Sequence, residues 1–139
     1  MNRKNALAED SEAMSKPKKL ILYVDNEWAV IEPVNQILNS LGYETFVTTW
    51  CSEAVNLMRS QPEIFDLVIT DMNMPDMDGF ELSRALKEIR PDIPILLCTG
   101  FGALVNRQDM AAAGISEVIP KPFSIKDISI FIENALEQG

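Results

Sequence analysis

Three short apolar runs constrain this chain more than any other feature: Leu20-Ile21-Leu22-Tyr23-Val24, Phe65 with Leu67-Val68-Ile69, and Ile95-Leu96-Leu97-Cys98. A strand with one wet face alternates polar and apolar residues. These runs do not alternate, so each is predicted to be covered on both faces, as central strands of a parallel sheet are. Tyr43 to Thr48 and Glu117 to Ile119 are more polar, which suits edge strands. Between the strands apolar residues recur at helical spacing: Val30, Val34, Ile37, Leu38 and Leu41, then Leu82, Ala85, Leu86 and Ile89, then Ile125, Ile128, Ile132, Ala135 and Leu136. Strands alternating with helices require right-handed crossovers, so the chain is predicted to form five βα units in a doubly wound α/β sandwich. Gly42, Pro91 and Gly114 mark helix ends, and Ser124-Ile125-Lys126-Asp127 has the form of a capping box opening the last helix. Pro33 interrupts the first helical pattern, where it removes a donor and crowds the preceding turn, so that helix is predicted to bend or start late.

Composition removes several functions. At 139 residues and 47% hydrophobic the chain suits one domain whose core needs no disulfide or structural metal. Cys51 and Cys98 form no CxxC, so neither a zinc site nor a secreted disulfide framework is indicated, and a reducing cytoplasm fits. A formal charge of −9 argues against direct nucleic-acid binding, which needs clustered Lys and Arg; only Lys16, Lys18 and Lys19 cluster. No apolar stretch has the length of a signal peptide core or a membrane span, and residues 1–17, polar and charged, read as a disordered tail or linker. Histidine is absent, which excludes Ser/His/Asp and Cys/His nucleophile systems and any phosphohistidine within the chain.

In a doubly wound sheet the crevice lies at the carboxyl ends of the strands. Asp25, Asn26 and Glu27 follow the first strand, Asp71 the third, Thr99 the fourth and Lys121 the fifth. Carboxylates brought together repel unless a cation neutralises them, and a hard oxygen site with few protein ligands favours Mg²⁺, which keeps several waters. A carboxylate such as Asp71 can attack phosphorus to give a mixed anhydride, while Mg²⁺ and a lysine neutralise the equatorial oxygens and the Thr99 hydroxyl donates to the product. With no histidine in the chain, the phosphodonor has to be another molecule.

Four ordered segments carry a family likeness: Leu20 to Glu27, Asp66 to Gly79 with its Thr70-Asp71-Met72-Asn73-Met74-Pro75 centre, Cys98-Thr99-Gly100, and Lys121-Pro122-Phe123. Together they resemble the receiver domain of response regulators in two-component phosphorelay systems, over a domain of residues 18–139. The resemblance implies a (βα)5 flavodoxin-like sandwich with sheet order 2-1-3-4-5 and a cis Lys121–Pro122 bond. It implies phosphorylation of Asp71 by a histidine kinase or histidine phosphotransfer protein, with self-phosphorylation from small phosphodonors and autodephosphorylation. It therefore implies a phosphoacceptor switch rather than an enzyme. It assigns Mg²⁺ to Asp25, Asn26, Asp71 and the Asn73 backbone carbonyl, with Glu27 as a further candidate, and sets Thr99 and Lys121 against the phosphoryl group. Thr99 then reorients and shifts the face of the fourth helix and fifth strand, through which a homodimer is a candidate. No segment names an output partner.

Three positions depart from the family pattern. Asn26 stands where a second acidic residue is common, so the metal site carries one charge less. Val118 stands where an aromatic residue often couples to the threonine. Thr99-Gly100-Phe101 resembles receivers attached to hybrid sensor kinases more than those fused to DNA-binding domains. Simpler readings stand beside these: Asp25 as a turn former, Lys121 as a solvated cation, Met72, Met74 and Met77 as gap fillers, and Cys98 as a small buried hydrophobe. Two rival functions follow. A pseudo-receiver would bind partners without phosphorylation, a reading motivated by Asn26. A haloacid-dehalogenase-type phosphatase would also use an aspartate nucleophile and Mg²⁺, but that class carries Asp-x-Asp, and here Asn73 leaves no general acid at that place.

Overall fold

In a computed structural model the chain is described over residues 17–100 and 105–138; the expected tail, except Pro17, and Phe101 lie outside the described residues. Five strands alternate with five helices: β1 (Leu20–Val24), α1 (Trp28–Ser40), β2 (Glu44–Thr48), α2 (Cys51–Ser60), β3 (Leu67–Asp71), α3 (Gly79–Ile89), β4 (Ile95–Thr99), α4 (Arg107–Ala113), β5 (Glu117–Pro120) and α5 (Ile125–Gln138). The sheet runs β2-β1-β3-β4-β5, every neighbour pair parallel. The two more polar segments are therefore its edges.

Strand periodicity explains the unbroken apolar runs, because successive side chains point to opposite faces and both faces are covered. Leu22, Val24, Val68, Ile95 and Leu97 pack with Ala54 and Met58 of α2, Leu82 and Leu86 of α3, and Ala113 of α4. Ile21, Tyr23, Leu67, Ile69, Leu96 and Cys98 turn the other way, against Ile31, Val34 and Leu38 of α1 and Ile128, Ile132 and Ala135 of α5.

The helix boundaries follow local chemistry. Gly114 closes α4 in the left-handed region at φ 77°, where a side chain would be strained. Ser124 and Asp127 form the reciprocal box that opens α5: the Asp127 N–H donates to Ser124 Oγ at 3.1 Å, and the Ser124 N–H to Asp127 Oδ2 at 3.4 Å. Pro33 does not delay the helix. The first helix neither starts late nor is interrupted, running from Trp28 to Ser40 with Pro33 inside it. The proline sits in the second turn, so the bond it forfeits is the one to the Ala29 carbonyl, while buried Ile31, Val34 and Leu38 hold the inward face in place.

Candidate functional site

Strand parity decides which polar residues meet. Asp25 continues the set of Ile21 and Tyr23, Asp71 that of Leu67 and Ile69, and Lys121 that of Ile119, all on the side of α1 and α5. The three converge: Lys121 Nζ lies 2.7 Å from Asp71 Oδ1 and 3.5 Å from Asp25 Oδ2. Both carboxylates are buried, Asp25 at 1% and Asp71 at 8% exposure, so each is deprived of most of its hydration. Asp25 Oδ1 accepts the Glu27 N–H at 3.1 Å, and the Asp25 N–H donates to the Thr48 carbonyl at 3.2 Å, tying the end of β1 to β2. The Tyr23 hydroxyl stands 3.5 Å from Asp25 Oδ2.

The electrostatics follow from burial. Desolvation pushes the Asp25 carboxyl above its ordinary value; Lys121 opposes the rise, and the charge of Asp71 adds to it. Burial alone would depress the Lys121 ammonium, but its hydrogen bond to Asp71 and the charge of Asp25 outweigh that and hold it above its ordinary value. The Tyr23 phenol is raised by burial first and by Asp25 next, so it stays protonated. Thr99 is 2% exposed and shares the parity of Ile95 and Leu97, opposite to the carboxylates, and its carbonyl accepts the Lys121 N–H at 2.8 Å. The Lys121–Pro122 bond is cis.

After β3 the chain folds into a compact loop. The Met72 N–H donates to the Cys98 carbonyl at 2.9 Å and the Gly79 N–H to the Met72 carbonyl at 2.8 Å, closing the loop at its base. Asp78 and Glu81 cap α3 reciprocally, the Asp78 N–H donating to Glu81 Oε1 at 2.9 Å and the Glu81 N–H to Asp78 Oδ1 at 2.8 Å. Asp76 accepts the N–H groups of Cys51 and Ser52 at the start of α2, at 3.3 and 3.0 Å. Burial alone would raise the Asp76 carboxyl, but these N–H bonds outweigh it and lower it. Met72, Met74 and Met77 pack against the core as fillers. Cys51 and Cys98 are buried free thiols pushed up to about 12, chiefly by burial, which leaves them unreactive.

The structure thus brings the side chains of Asp25, Asp71 and Lys121 together, with Thr99 joined to Lys121 through its backbone carbonyl and Asn73 on the loop after β3, while Asn26, Glu27 and Asn73 are exposed. Among the described residues no three His, Cys, Asp or Glu side chains converge to hold a metal. A donor set of two carboxylates and neutral oxygens still fits Mg²⁺, which takes one or two carboxylates and keeps waters, and the desolvated Asp25 is a group that a cation would relieve. Sequence reasoning missed three residues that shape the site. Tyr23 carried a usable signal, two residues before Asp25 on one strand and hence on the same face. Thr48 and Asp76 act across elements distant in sequence, and no local pattern announces them.

A parallel α/β sandwich with acidic side chains ending β1 and β3 and a lysine after β5 belongs to a recognisable class, the CheY-like receiver fold. A CheY-like receiver domain protein from Methanospirillum hungatei superposes with a TM-score of 0.80 at 32% identity, covering 88% of this chain and 97% of that one. The model of the response regulator receiver domain matches residues 21–133, and the chain belongs to that family. It is 36% identical over 118 residues to the response regulator receiver protein CpdR of Brucella abortus, covering 85% of this chain and 97% of that protein. It is 29% identical to the sensor kinase CckA of the same organism, covering 94% of this chain and 15% of that protein. No helix among the described residues is long and apolar enough to cross a membrane.

Proposed function

We propose that this receiver domain is a phosphoacceptor switch of a two-component phosphorelay, with Asp71 as the acceptor. The observation that carries the reading is the ion-pair triad in which Lys121 Nζ lies 2.7 Å from Asp71 and 3.5 Å from Asp25. An Asp71 oxygen attacks phosphorus; the P–N bond to a donor histidine, or the P–O bond to the acyl group of acetyl phosphate, breaks, and the leaving group carries away the electron pair. Lys121 holds the carboxylate in line and neutralises charge as it develops, and the Thr99 hydroxyl donates to a phosphoryl oxygen of the product. Asp25, Asp71, the Asn73 carbonyl and Asn26 are the groups assigned to Mg²⁺, with Glu27 at the rim; bound there, the ion would supply neutralisation of the phosphoryl oxygens. The phosphodonor is a histidine kinase or histidine phosphotransfer protein, in keeping with a relative that is itself a sensor kinase. The two free thiols suit a reducing cytoplasm. Self-association through the α4 and β5 face remains part of this reading, and sedimentation with and without beryllofluoride tests it.

Intact mass spectrometry after incubation with acetyl phosphate and Mg²⁺ tests the reading. One phosphoryl adduct is expected, mapping to the peptide that holds Asp71 and absent when the metal is chelated. A folded protein that takes up no phosphoryl group would favour the pseudo-receiver instead, and turnover of small phosphoesters would favour the phosphatase.

Asn26 has a consequence of definite sign. Its amide contributes no full charge to a metal, whereas a carboxylate there would attract the cation and also repel Asp25 in the empty site. Asn26→Asp is therefore expected to tighten Mg²⁺ about tenfold, or about 1.4 kcal/mol, and to lower the melting temperature of the metal-free protein. Calorimetric titration of both forms measures the first effect and thermal denaturation in chelator the second. Equal Mg²⁺ affinity would mean that residue 26 does not face the ion.

A further inference from the structure

The loop between β3 and α3 carries Asn73, whose carbonyl is assigned to Mg²⁺, yet Asn73 lies between two points of attachment rather than on a strand. The first point is the loop's base, closed by the Gly79 N–H on the Met72 carbonyl at 2.8 Å. The second is its crest, where Asp76 reaches across to α2. There Oδ1 accepts the Cys51 N–H at 3.3 Å and Oδ2 the Ser52 N–H at 3.0 Å, and the Cys51 thiol lies 3.6 Å from the Met77 carbonyl. Helix α2 lacks a cap of its own, since Trp50 at its N-cap offers no side-chain acceptor, so the first-turn N–H groups are directed at a residue of the neighbouring loop. Gly79 presses the other end of the loop against β3: a Cβ there would lie 2.8 Å from the Asp71 carbonyl oxygen. With the base closed, the crest is the part of the loop held by side chains, Met74 and Met77 packing on the core and Asp76 tying it to the start of α2.

We propose that Asp76 is a positioning residue for the phosphoacceptor site: by capping α2 from the β3–α3 loop, it holds the Asn73 carbonyl where the metal needs it. The inference rests on the reading of the site as a Mg²⁺-dependent phosphoacceptor and adds a residue that touches neither metal nor phosphoryl group. Releasing the crest lets the carbonyl sample other directions, so the metal must bear the cost of ordering the loop. A lost cap is typically worth about 1 kcal/mol, which is about fivefold in an equilibrium constant.

Calorimetric titration with Mg²⁺, together with acetyl phosphate labelling at low and at saturating Mg²⁺, tests this in four forms of the full chain. Asp76→Ala is expected to weaken Mg²⁺ about fivefold and to slow labelling at low Mg²⁺ by the same factor, with the wild-type rate restored at saturation. Asp76→Asn, which removes the charge and keeps only one of the two acceptor oxygens, is expected to lose about twofold, less than Asp76→Ala. Asn56→Gly, at an exposed position inside α2, loosens the helix without touching the loop and is expected to leave Mg²⁺ affinity at the wild-type value. Equal losses in Asp76→Ala and Asp76→Asn would mean that a retained capping bond does not hold the loop, and would overturn the proposal. Equal losses in Asp76→Ala and Asn56→Gly would assign it to helix stability and overturn it too. Wild-type affinity in Asp76→Ala would overturn this inference alone, whereas a wild type that bound no Mg²⁺ would overturn the reading of the site and this inference with it.

Discussion

Asp71→Asn is expected to abolish phosphoryl uptake from acetyl phosphate, by at least about a hundredfold in initial rate, while leaving the protein as stable as the wild type or more so. The first half follows from chemistry, since an amide of the same shape keeps the contacts but is not a nucleophile toward phosphorus. The second half follows from charge. At neutral pH the triad holds two carboxylates against one ammonium in a desolvated pocket, and the charge of Asp71 is one reason the Asp25 carboxyl sits above its ordinary value. Removing it weakens the Lys121 hydrogen bond, worth about 1.5–3 kcal/mol when both partners are charged, but relieves the repulsion and leaves a neutral Asp25–Lys121 pair, so the two effects largely cancel. Raising the folded pKa of Asp25 means that its ionisation weighs against the fold: the stability is present at low pH and is lost as pH rises through that folded value. Without Asp71 this loss shrinks. The advantage of the variant over wild type is thus expected to be larger at pH 7 than on the acid side of the Asp25 titration, with thermal denaturation in chelator as the measurement. A variant that melts lower than wild type at pH 7 would show that the Asp71–Lys121 bond outweighs the repulsion.

The parts of this architecture written in local pattern were legible before any coordinates. β1, β3 and β4 are runs with no polar interruption, and a strand so written has to be covered on both faces, which sets the sheet's centre and leaves β2 and β5 as edges. Because the carboxyl ends of parallel strands lie together, Asp25, Asp71 and Lys121 could be grouped although the lysine is 50 residues from one carboxylate and 96 from the other. Parity, a second local signal, also separates Thr99 from those three. What stayed hidden depends on surfaces meeting. Asp76 looks like a loop residue until its two acceptor oxygens are seen against the start of α2, an amphipathic helix whose own N-cap residue is a tryptophan. The late start suggested by Pro33 fails for a related reason: its local effect on one hydrogen bond is real, but the burial of Ile31, Val34 and Leu38 against the sheet keeps the helix continuous.

Gly79→Ala is expected to destabilise the domain by about 2–3 kcal/mol, a fall in melting temperature of roughly 10 °C, even though alanine is the better helix former. The reason is contact rather than backbone conformation. A Cβ at residue 79 would stand 2.4 Å from Leu97 Cδ1, 2.8 Å from the Asp71 carbonyl oxygen and 3.1 Å from Met72 Cα. Leu97 can rotate only within a core where it is fully buried, and the Asp71 carbonyl belongs to the central strand, paired in register with Cys98 on β4, so neither neighbour can yield cheaply. The start of α3 must then retreat from β3. That retreat strains the Gly79–Met72 hydrogen bond and turns the end of β3 that carries Asp71, so phosphoryl uptake is expected to fall along with stability. Gly42 supplies the contrast, since a Cβ there meets nothing within 4 Å but the residue holds φ 97°. Gly42→Asn, which tolerates the left-handed region, is therefore expected to recover most of the roughly 1–2 kcal/mol that Gly42→Ala loses, whereas Gly79→Asn is expected to fare no better than Gly79→Ala. Differential scanning calorimetry of the four variants separates steric from conformational cost. A Gly79→Ala protein that melted within about 2 °C of the wild type would mean that α3 and β3 slide apart freely, and that the close approach does not set the position of Asp71.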